Sequence, residues 1–292
     1  MLYWPWMNYW EINCLLFVTD ALKIIGNKYF TVKTVVTLTT DIEGLQDHMI
    51  INETNKPKDQ AVTILHVTDL HFNQPHYEWI TQHLDSFDIL CLSGDLIEHP
   101  RELAQIEWVT TWLNALTKPT FICSGNHDVE KETISNEELL SLDSSIDDCD
   151  PLDWDTDHYA FTEKALQRKA SFWMNNIANK WVYADNTIRK IQHITIGCAP
   201  CNDPTLSDFY QCDILLHHLP PEKTATSDQK GKDWGCMDLY LALTHGHIKP
   251  RYVLCGHVHQ PKSTRDQIKN TIVLNPGATF DNNEPKHNYI IF

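Results

Sequence analysis

The chain has 292 residues, 42% of them apolar, which is enough for one large domain with a full core. Its 39 acidic residues against 23 basic ones leave a formal charge of −16, which argues against a protein that tracks nucleic-acid backbones through a basic surface, although a nucleotide substrate stays open because bound cations reverse a local field. Nine cysteines form an odd set scattered through apolar runs, which reads as reduced thiols of a cytoplasmic protein rather than a disulfide framework, and no run reaches the roughly eighteen apolar residues of a transmembrane helix.

Residues 1–60 differ from the rest. The aromatic N-terminus (Tyr3, Trp4, Trp6, Tyr9, Trp10) carries Glu11 where a secretory signal has positive charge, and Asp20 and Lys23 interrupt its apolar stretch, so no signal peptide is expected. Phe30–Thr40 is β-branched and strand-like, and Asn52–Gln60 is polar, contains a proline and reads as a linker. The organisation expected is a β-rich N-terminal extension (1–60) followed by the main domain (61–292). The aromatics of the extension suit a cover for a sheet edge or a contact between two copies.

From Ala61 onward five short apolar runs each end in histidine, aspartate or asparagine: Ile64–His71, Ile89–Asp95, Phe121–Asp128, Ile214–His218 and Tyr252–His259. Runs of four to eight such residues without a polar face read as buried strands. Helical patterns at Tyr77–Leu84 and Arg101–Leu116 separate the first three, which implies parallel pairing. Glu130–Asp157 holds eleven acidic residues against Lys131 and reads as a solvated loop, placed where a lid would be. Tyr159–Lys180 reads as a long amphipathic helix. Trp181–Gly197 reads as a hairpin turning at Asp185–Asn186, and Met237–His247 as a helix. The Cys198–Cys201 pair is a weak zinc or redox signal that a strand end and its loop explain as well. His66 and His193 read as satisfied core histidines.

Each strand tip offers groups that bind metals or move protons, and in open α/β folds chemistry gathers at the carboxyl ends of strands. Asp69 and His71 alternate on an extended end, so both should point one way. Asp95 and Asn126–His127 follow glycines, and His257 and His259 are again spaced by two. Imidazole, carboxylate and amide ligands together suit Mn²⁺, Fe²⁺, Zn²⁺ or Co²⁺. Seven ligands exceed the needs of one catalytic ion with an open position, and fit two divalent ions sharing a carboxylate.

The set Asp69-Leu70-His71, Gly94-Asp95 through Glu98, Gly125-Asn126-His127-Asp128, His217 and Gly256-His257-Val258-His259 resembles the signature of the calcineurin-like metallophosphoesterases, over about Thr63 to Phe292. The resemblance implies a four-layer α/β/β/α sandwich with a dinuclear site at the strand ends. It places Asp69, His71, Asp95 and His259 on one ion and Asp95, Asn126, His217 and His257 on the other, with Asp95 bridging. His218 is left as a polar neighbour that, with Asn126 and His127, would face the substrate. It implies hydrolysis of phosphoesters, with His127 stabilising charge and protonating the leaving group. Glu98, or in its place Asp128, would orient His127. The Asp233-Trp234-Gly235-Cys236 and Lys249-Pro250-Arg251 stretches resemble a small phosphodiesterase branch. The expected substrate is therefore a nucleotide or another small phosphodiester, with a phosphomonoester or phosphoprotein as the alternative and a non-catalytic scaffold as the reading of a different class. Neither membrane attachment nor stable nucleic-acid binding is expected. Trp154, Tyr159 and Trp234 are candidates for stacking on a nucleobase, with ordinary packing as the alternative.

Overall fold

The computed structural model describes residues 61–129, 172–202 and 204–292, together with the backbone of three strands before them. Of these, β1 (Asp20–Ile25) and β2 (Lys28–Lys33) pair as an antiparallel hairpin, and β3 (Met49–Asn52) runs parallel to the last strand of the chain. The N-terminal aromatics, the acidic stretch 130–157, Trp154 and Tyr159 lie outside the described residues.

The main domain opens with β4 (Thr63–Val67), α1 (Gln74–Gln82), β5 (Ile89–Leu92), α2 (Leu103–Ala115), β6 (Thr120–Ile122) and β7 (Val182–Tyr183). The chain then builds β8 (Thr187–Ile191), β9 (Ile194–Cys198), β10 (Ile214–Leu216), a small ribbon of β11 (Asp228–Gln229) and β12 (Lys232–Asp233), α3 (Met237–His245), β13 (Tyr252–Leu254), β14 (Arg265–Ile268) and β15 (Thr271–Leu274). It returns through β16 (His287–Ile291) to the first sheet. Two six-stranded sheets result, ordered β3-β16-β4-β5-β6-β7 and β14-β15-β13-β10-β9-β8. Strands β4 to β7 are mutually parallel, as are β9, β10, β13 and β15.

The apolar runs explain the layering. In β5 every residue is buried, but alternate residues serve different cores. Ile89 and Cys91 face the second sheet, while Leu90 and Leu92 pack with Tyr77, Ile80, Val109 and Leu113 of α1 and α2. In β10 and β13, Ile214, Leu216, Tyr252 and Leu254 fill the space between the sheets. Leu215 and Val253 meet Leu239, Ala242 and Leu243 of α3. Helices, sheet, sheet and helix thus form four layers around three apolar cores. Each fully buried Ile or Leu contributes about 1.5–3 kcal/mol of transfer free energy. Among the described residues no helix is long and apolar enough to cross a membrane.

Three local expectations change. Asp185–Asn186 is not a hairpin turn, because β7 belongs to the first sheet and β8 to the second, so the chain crosses between sheets there. The hairpin joins β8 to β9, and it leaves His193 exposed rather than in the core. Where Tyr159–Lys180 is described, it holds a short 3-10 turn, Trp173–Asn176, whose Trp173 and Met174 pack under the first sheet.

Candidate metal centre

The five tips converge at the carboxyl ends of β4, β5, β6, β10 and β13, the central parallel strands of both sheets. The chain leaves extended geometry at once after β4. Asp69 and His71 have φ of 52° and 42°, and Asp95 and His257 have φ of 52° and 67°. This left-handed region costs most residues order 1–3 kcal/mol, and Asp and His less than others. Asp69 and His71 therefore reach one centre through a left-handed turn, not through strand alternation. Main-chain bonds hold the turn against the loop after β5: Asp69 N–H donates to Gly94 O (3.1 Å), His71 N–H to Asp95 O (2.9 Å) and Phe72 N–H to Leu96 O (2.9 Å).

Two groups of donor atoms flank Asp95. In the first, His71 Nε2 and His259 Nε2 lie 3.1 Å apart, and Asp69 Oδ1 lies 3.8 Å and 3.4 Å from them. In the second, Asn126 Oδ1 lies 2.8 Å from His257 Nδ1 and 3.2 Å from His218 Nε2. Asp95 Oδ2 stands between them, 3.7 Å from His71 Nε2 and 3.2 Å from His218 Nε2. The other Asp95 oxygen accepts the His127 N–H at 2.8 Å, and the Asp69 carboxylate accepts the His257 N–H at 3.0 Å. A side chain at Gly256 would put its Cβ 1.8 Å from Thr68 Oγ1 and 2.4 Å from Asp69 Oδ2, so only glycine lets this tip close on Asp69.

The donor chemistry fits divalent cations. His71 directs Nδ1 to Glu98 Oε2 at 2.7 Å, and His218 directs Nδ1 to Ser93 O at 2.8 Å. Each Nδ1 therefore donates outward, which turns the two Nε2 atoms inward beside two buried carboxylates. Burial would raise the Asp69 carboxyl, but the His259 bond and the His218 charge outweigh it and hold it below the ordinary value. Burial likewise opposes ionisation of Asp95, and His218 overcomes it. In turn, Asp95 raises His218 to about 9 against its burial, and the Asp69 bond raises His259. The carboxylates thus draw positive charge into the centre. Among the described residues, Asp69, His71 and His259 form one set with ligand atoms within 4.8 Å of one another, and Asp69, Asp95 and His218 form another.

Four sequence-level assignments change on geometry. His218, not His217, enters the cluster. Neighbouring residues at a strand end point to opposite sides, and His217 is buried beside the main chain of Ala199 and Pro200. Its pKa falls to about 4, first through burial and then through the charge on His218. His218 is itself fully buried, which removes it from direct substrate contact. The Glu98 carboxylate holds His71, whereas His127 Nδ1 donates to the Glu98 main-chain oxygen at 2.8 Å. Asp128 is buried and braces two of the tips. Its Oδ1 accepts from Leu96 N (3.0 Å) and Ile97 N (3.2 Å), and its Oδ2 accepts from Gly125 N (2.8 Å), which ties the second tip to the third. Burial and the charge of Asp95 push its carboxyl up to about 8. His127 sits at the rim with its ring centroid 4.7 Å from that of His71 and its side chain 34% exposed.

Sequence reasoning assigned no role to Asn275 or Ser93. Asn275 Nδ2 lies 2.9–3.2 Å from the main-chain oxygens of Gly256, Val258 and Thr226, and so joins the fifth tip to a distant loop. Its place in an Asn-Pro-Gly turn was the available signal. Ser93, which fixes His218, carried none.

This chain belongs to the calcineurin-like phosphoesterases, whose family profile matches residues 62–261. Membership implies metal-dependent hydrolysis of phosphoesters. No curated protein matches the sequence at a significant level. Among solved structures, TT1561 of Thermus thermophilus is 12% identical, with a TM-score of 0.44 over 78% of this chain and 98% of that one. The purple acid phosphatase PPD1 from yellow lupin (Lupinus luteus) seeds is 13% identical, with a TM-score of 0.41 over 74% of this chain and 44% of that one. A metallophosphoesterase from Sphaerobacter thermophilus is also 13% identical, with a TM-score of 0.32 over 74% and 76%.

Proposed function

We propose that the chain is a dinuclear, metal-dependent phosphodiesterase acting on nucleotides or other small phosphodiesters. The observation that carries this reading is the position of Asp95, whose Oδ2 faces His71 Nε2 on one side and His218 Nε2 on the other. Asp69, His71, Asp95 and His259 would hold one cation, and Asp95, Asn126, His218 and His257 the other. The mixed nitrogen and oxygen set suits Mn²⁺, Fe²⁺, Zn²⁺ or Co²⁺. Bound there, two such ions supply Lewis-acid charge and a water of lowered pKa.

The chain's own residues supply orientation and the proton. His127 Nδ1 is committed to the Glu98 carbonyl, so its Nε2 faces outward and carries the exchangeable proton. As the imidazolium, it stabilises charge on the phosphoryl oxygens and protonates the leaving oxygen from Nε2. The diester preference rests on charge. Glu98 keeps a half-exposed carboxylate at the rim, 3.9 Å from His127 Nδ1, in a chain of net charge −16. These negative groups cost a dianionic monoester more than a monoanionic diester. The seven described cysteines are free, in keeping with a reducing, cytoplasmic setting.

The deciding measurement is kcat/KM with Mn²⁺ for bis-p-nitrophenyl phosphate, 2′,3′- and 3′,5′-cyclic AMP, and p-nitrophenyl phosphate. At least one diester is expected to exceed the monoester. A monoester favoured by about tenfold or more over every diester, a difference of ~1.4 kcal/mol, overturns the reading and leaves a phosphomonoesterase on the same centre.

A further inference from the structure

Large apolar side chains left in water are costly unless something covers them. Among the described residues, the exposed ones are Leu103, Trp181, Tyr210, Trp234, Leu241 and Phe280. Two of these touch the metal centre, and they do so on different sides. Trp234, 44% exposed, lies edge-to-face with His257 at 6.4 Å between ring centroids. Phe280, 49% exposed, lies edge-to-face with His71 at 5.6 Å and with His259 at 5.5 Å. Each group of donor atoms that flanks Asp95 therefore has one exposed aromatic ring beside it.

Both rings are carried on fixed backbone. Trp234 follows β12 in a loop folded back on the strand end after His218. Cys236 N–H donates to Pro220 O (2.7 Å), Glu222 N–H to Cys236 O (3.1 Å) and Trp234 N–H to Ser227 O (3.0 Å). A side chain at Gly235 would meet the Glu222 backbone at 2.5 Å, so the two limbs of the loop touch only because that position is glycine. Asn275 ties the same loop to the fifth tip through Thr226 O. Phe280 follows the Asn275-Pro276-Gly277 turn, where Ala278 N–H donates to His259 O at 2.9 Å. The ammonium of Lys232 lies over one face of the Trp234 ring, 3.5 Å from its centroid, in a chain of net charge −16.

We infer that Trp234 and Phe280 are specificity-determining residues that form two aromatic walls of the substrate cleft, and that the preferred phosphoester carries a flat aromatic group, such as a nucleobase, packed against them. The inference deepens the proposed function, and rests on it for the placement of the phosphoryl group over Asp95. A pre-positioned ring gains stacking energy without paying to order a loop, and one stacked base typically strengthens binding by about tenfold or more. Trp234 is the main wall, because its indole has the larger face and Lys232 adds attraction for an anionic ester.

The test compares AMP with ribose 5-phosphate, which share phosphate and sugar and differ only in the base. Dissociation constants are measured by calorimetry on the full-length, Mn²⁺-loaded protein, and on Trp234→Ala and the double variant Trp234→Ala/Phe280→Ala. Both positions are exposed, and thermal midpoints confirm that the variants fold. The wild type is expected to bind AMP about tenfold or more tightly than ribose 5-phosphate. Trp234→Ala should lose most of that ratio, and the double variant should bring it near one. Equal affinities in the wild type, no binding of AMP, or a ratio that survives in the double variant each overturn the inference. Failure to turn over any diester while the ratio behaves as expected sinks the phosphodiesterase reading and leaves the aromatic walls standing.

Discussion

Glu98 serves two histidines through two different groups: its carboxylate Oε2 lies 2.7 Å from His71 Nδ1, while its main-chain oxygen takes His127 Nδ1 at 2.8 Å. The side chain therefore controls a metal-facing imidazole, and the backbone controls the candidate proton donor. An anionic partner on Nδ1 raises the basicity of the opposite nitrogen and fixes the ring plane.

Replacing Glu98 consequently separates the two functions. Glu98→Ala is expected to weaken metal binding about 10- to 100-fold, and Glu98→Gln to restore part of it by keeping an acceptor. The main-chain hold on His127 should persist in both variants, because neither substitution removes the Glu98 carbonyl. Metal titration followed by calorimetry tests this; unchanged affinity in Glu98→Ala would show that His71 is held by other contacts.

His217 and His218 give opposite outcomes. His218→Ala is expected to remove one of two bound ions and abolish turnover, since it breaks the contacts to Asp95 and Asn126. His217→Ala should retain both ions and lower stability only, as loss of a buried ring does. Metal content by atomic emission and the thermal midpoint of each variant decide between them. Loss of an ion in His217→Ala instead would reverse the assignment.

His127→Ala is expected to keep its metals and lose about 100-fold or more in kcat, as for a lost general acid or charge-stabilising donor. The deficit should shrink for esters with good leaving groups such as p-nitrophenolate, which need no proton. An equal deficit for alkyl and nitrophenyl esters would assign His127 to charge stabilisation alone.

Asp128→Ala leaves the N–H groups of Leu96, Ile97 and Gly125 without their carboxylate. Unpaired buried donors cost about 1–3 kcal/mol each, so the metal-free protein should lose at least about 2 kcal/mol in urea unfolding. Asp128→Asn, which keeps one accepting oxygen, should lose less. Wild-type stability with reduced activity would return Asp128 to a chemical role.

His66 sets a direction for acid stability. It is fully buried, with Nε2 2.8 Å from Ser93 Oγ, and burial lowers its pKa from 6.5 to about 3. Above pH 6.5 the ring is neutral in both folded and unfolded chains and adds no pH dependence. As pH falls from 6.5 toward 3, only the unfolded chain takes the proton, so the folded state loses stability. His66→Gln should flatten this part of the stability curve of the metal-free protein. A slope identical to wild type would exclude His66 as a contributor.

The amino-acid sequence alone determined the ligand types and the strands that carry them. Those features are local: a run such as Ile89–Leu92 is buried whichever sheet receives it, and Asp95 follows its strand immediately. What the tertiary structure decided depends on which way a side chain leaves the backbone and on what arrives from far along the chain. His217 and His218 are chemically identical and differ only in the face of the strand they take. Glu98 chose His71 over His127 because left-handed turns at Asp69 and His71 bring that ring across to the loop after β5. His71 meets His259 across 188 residues. Phe280 and Trp234 flank the centre only because Asn275 and the backbone around Gly235 pin two loops that no periodicity connects. Packing at that separation is a property of the assembled sandwich, and no short window of sequence contains it.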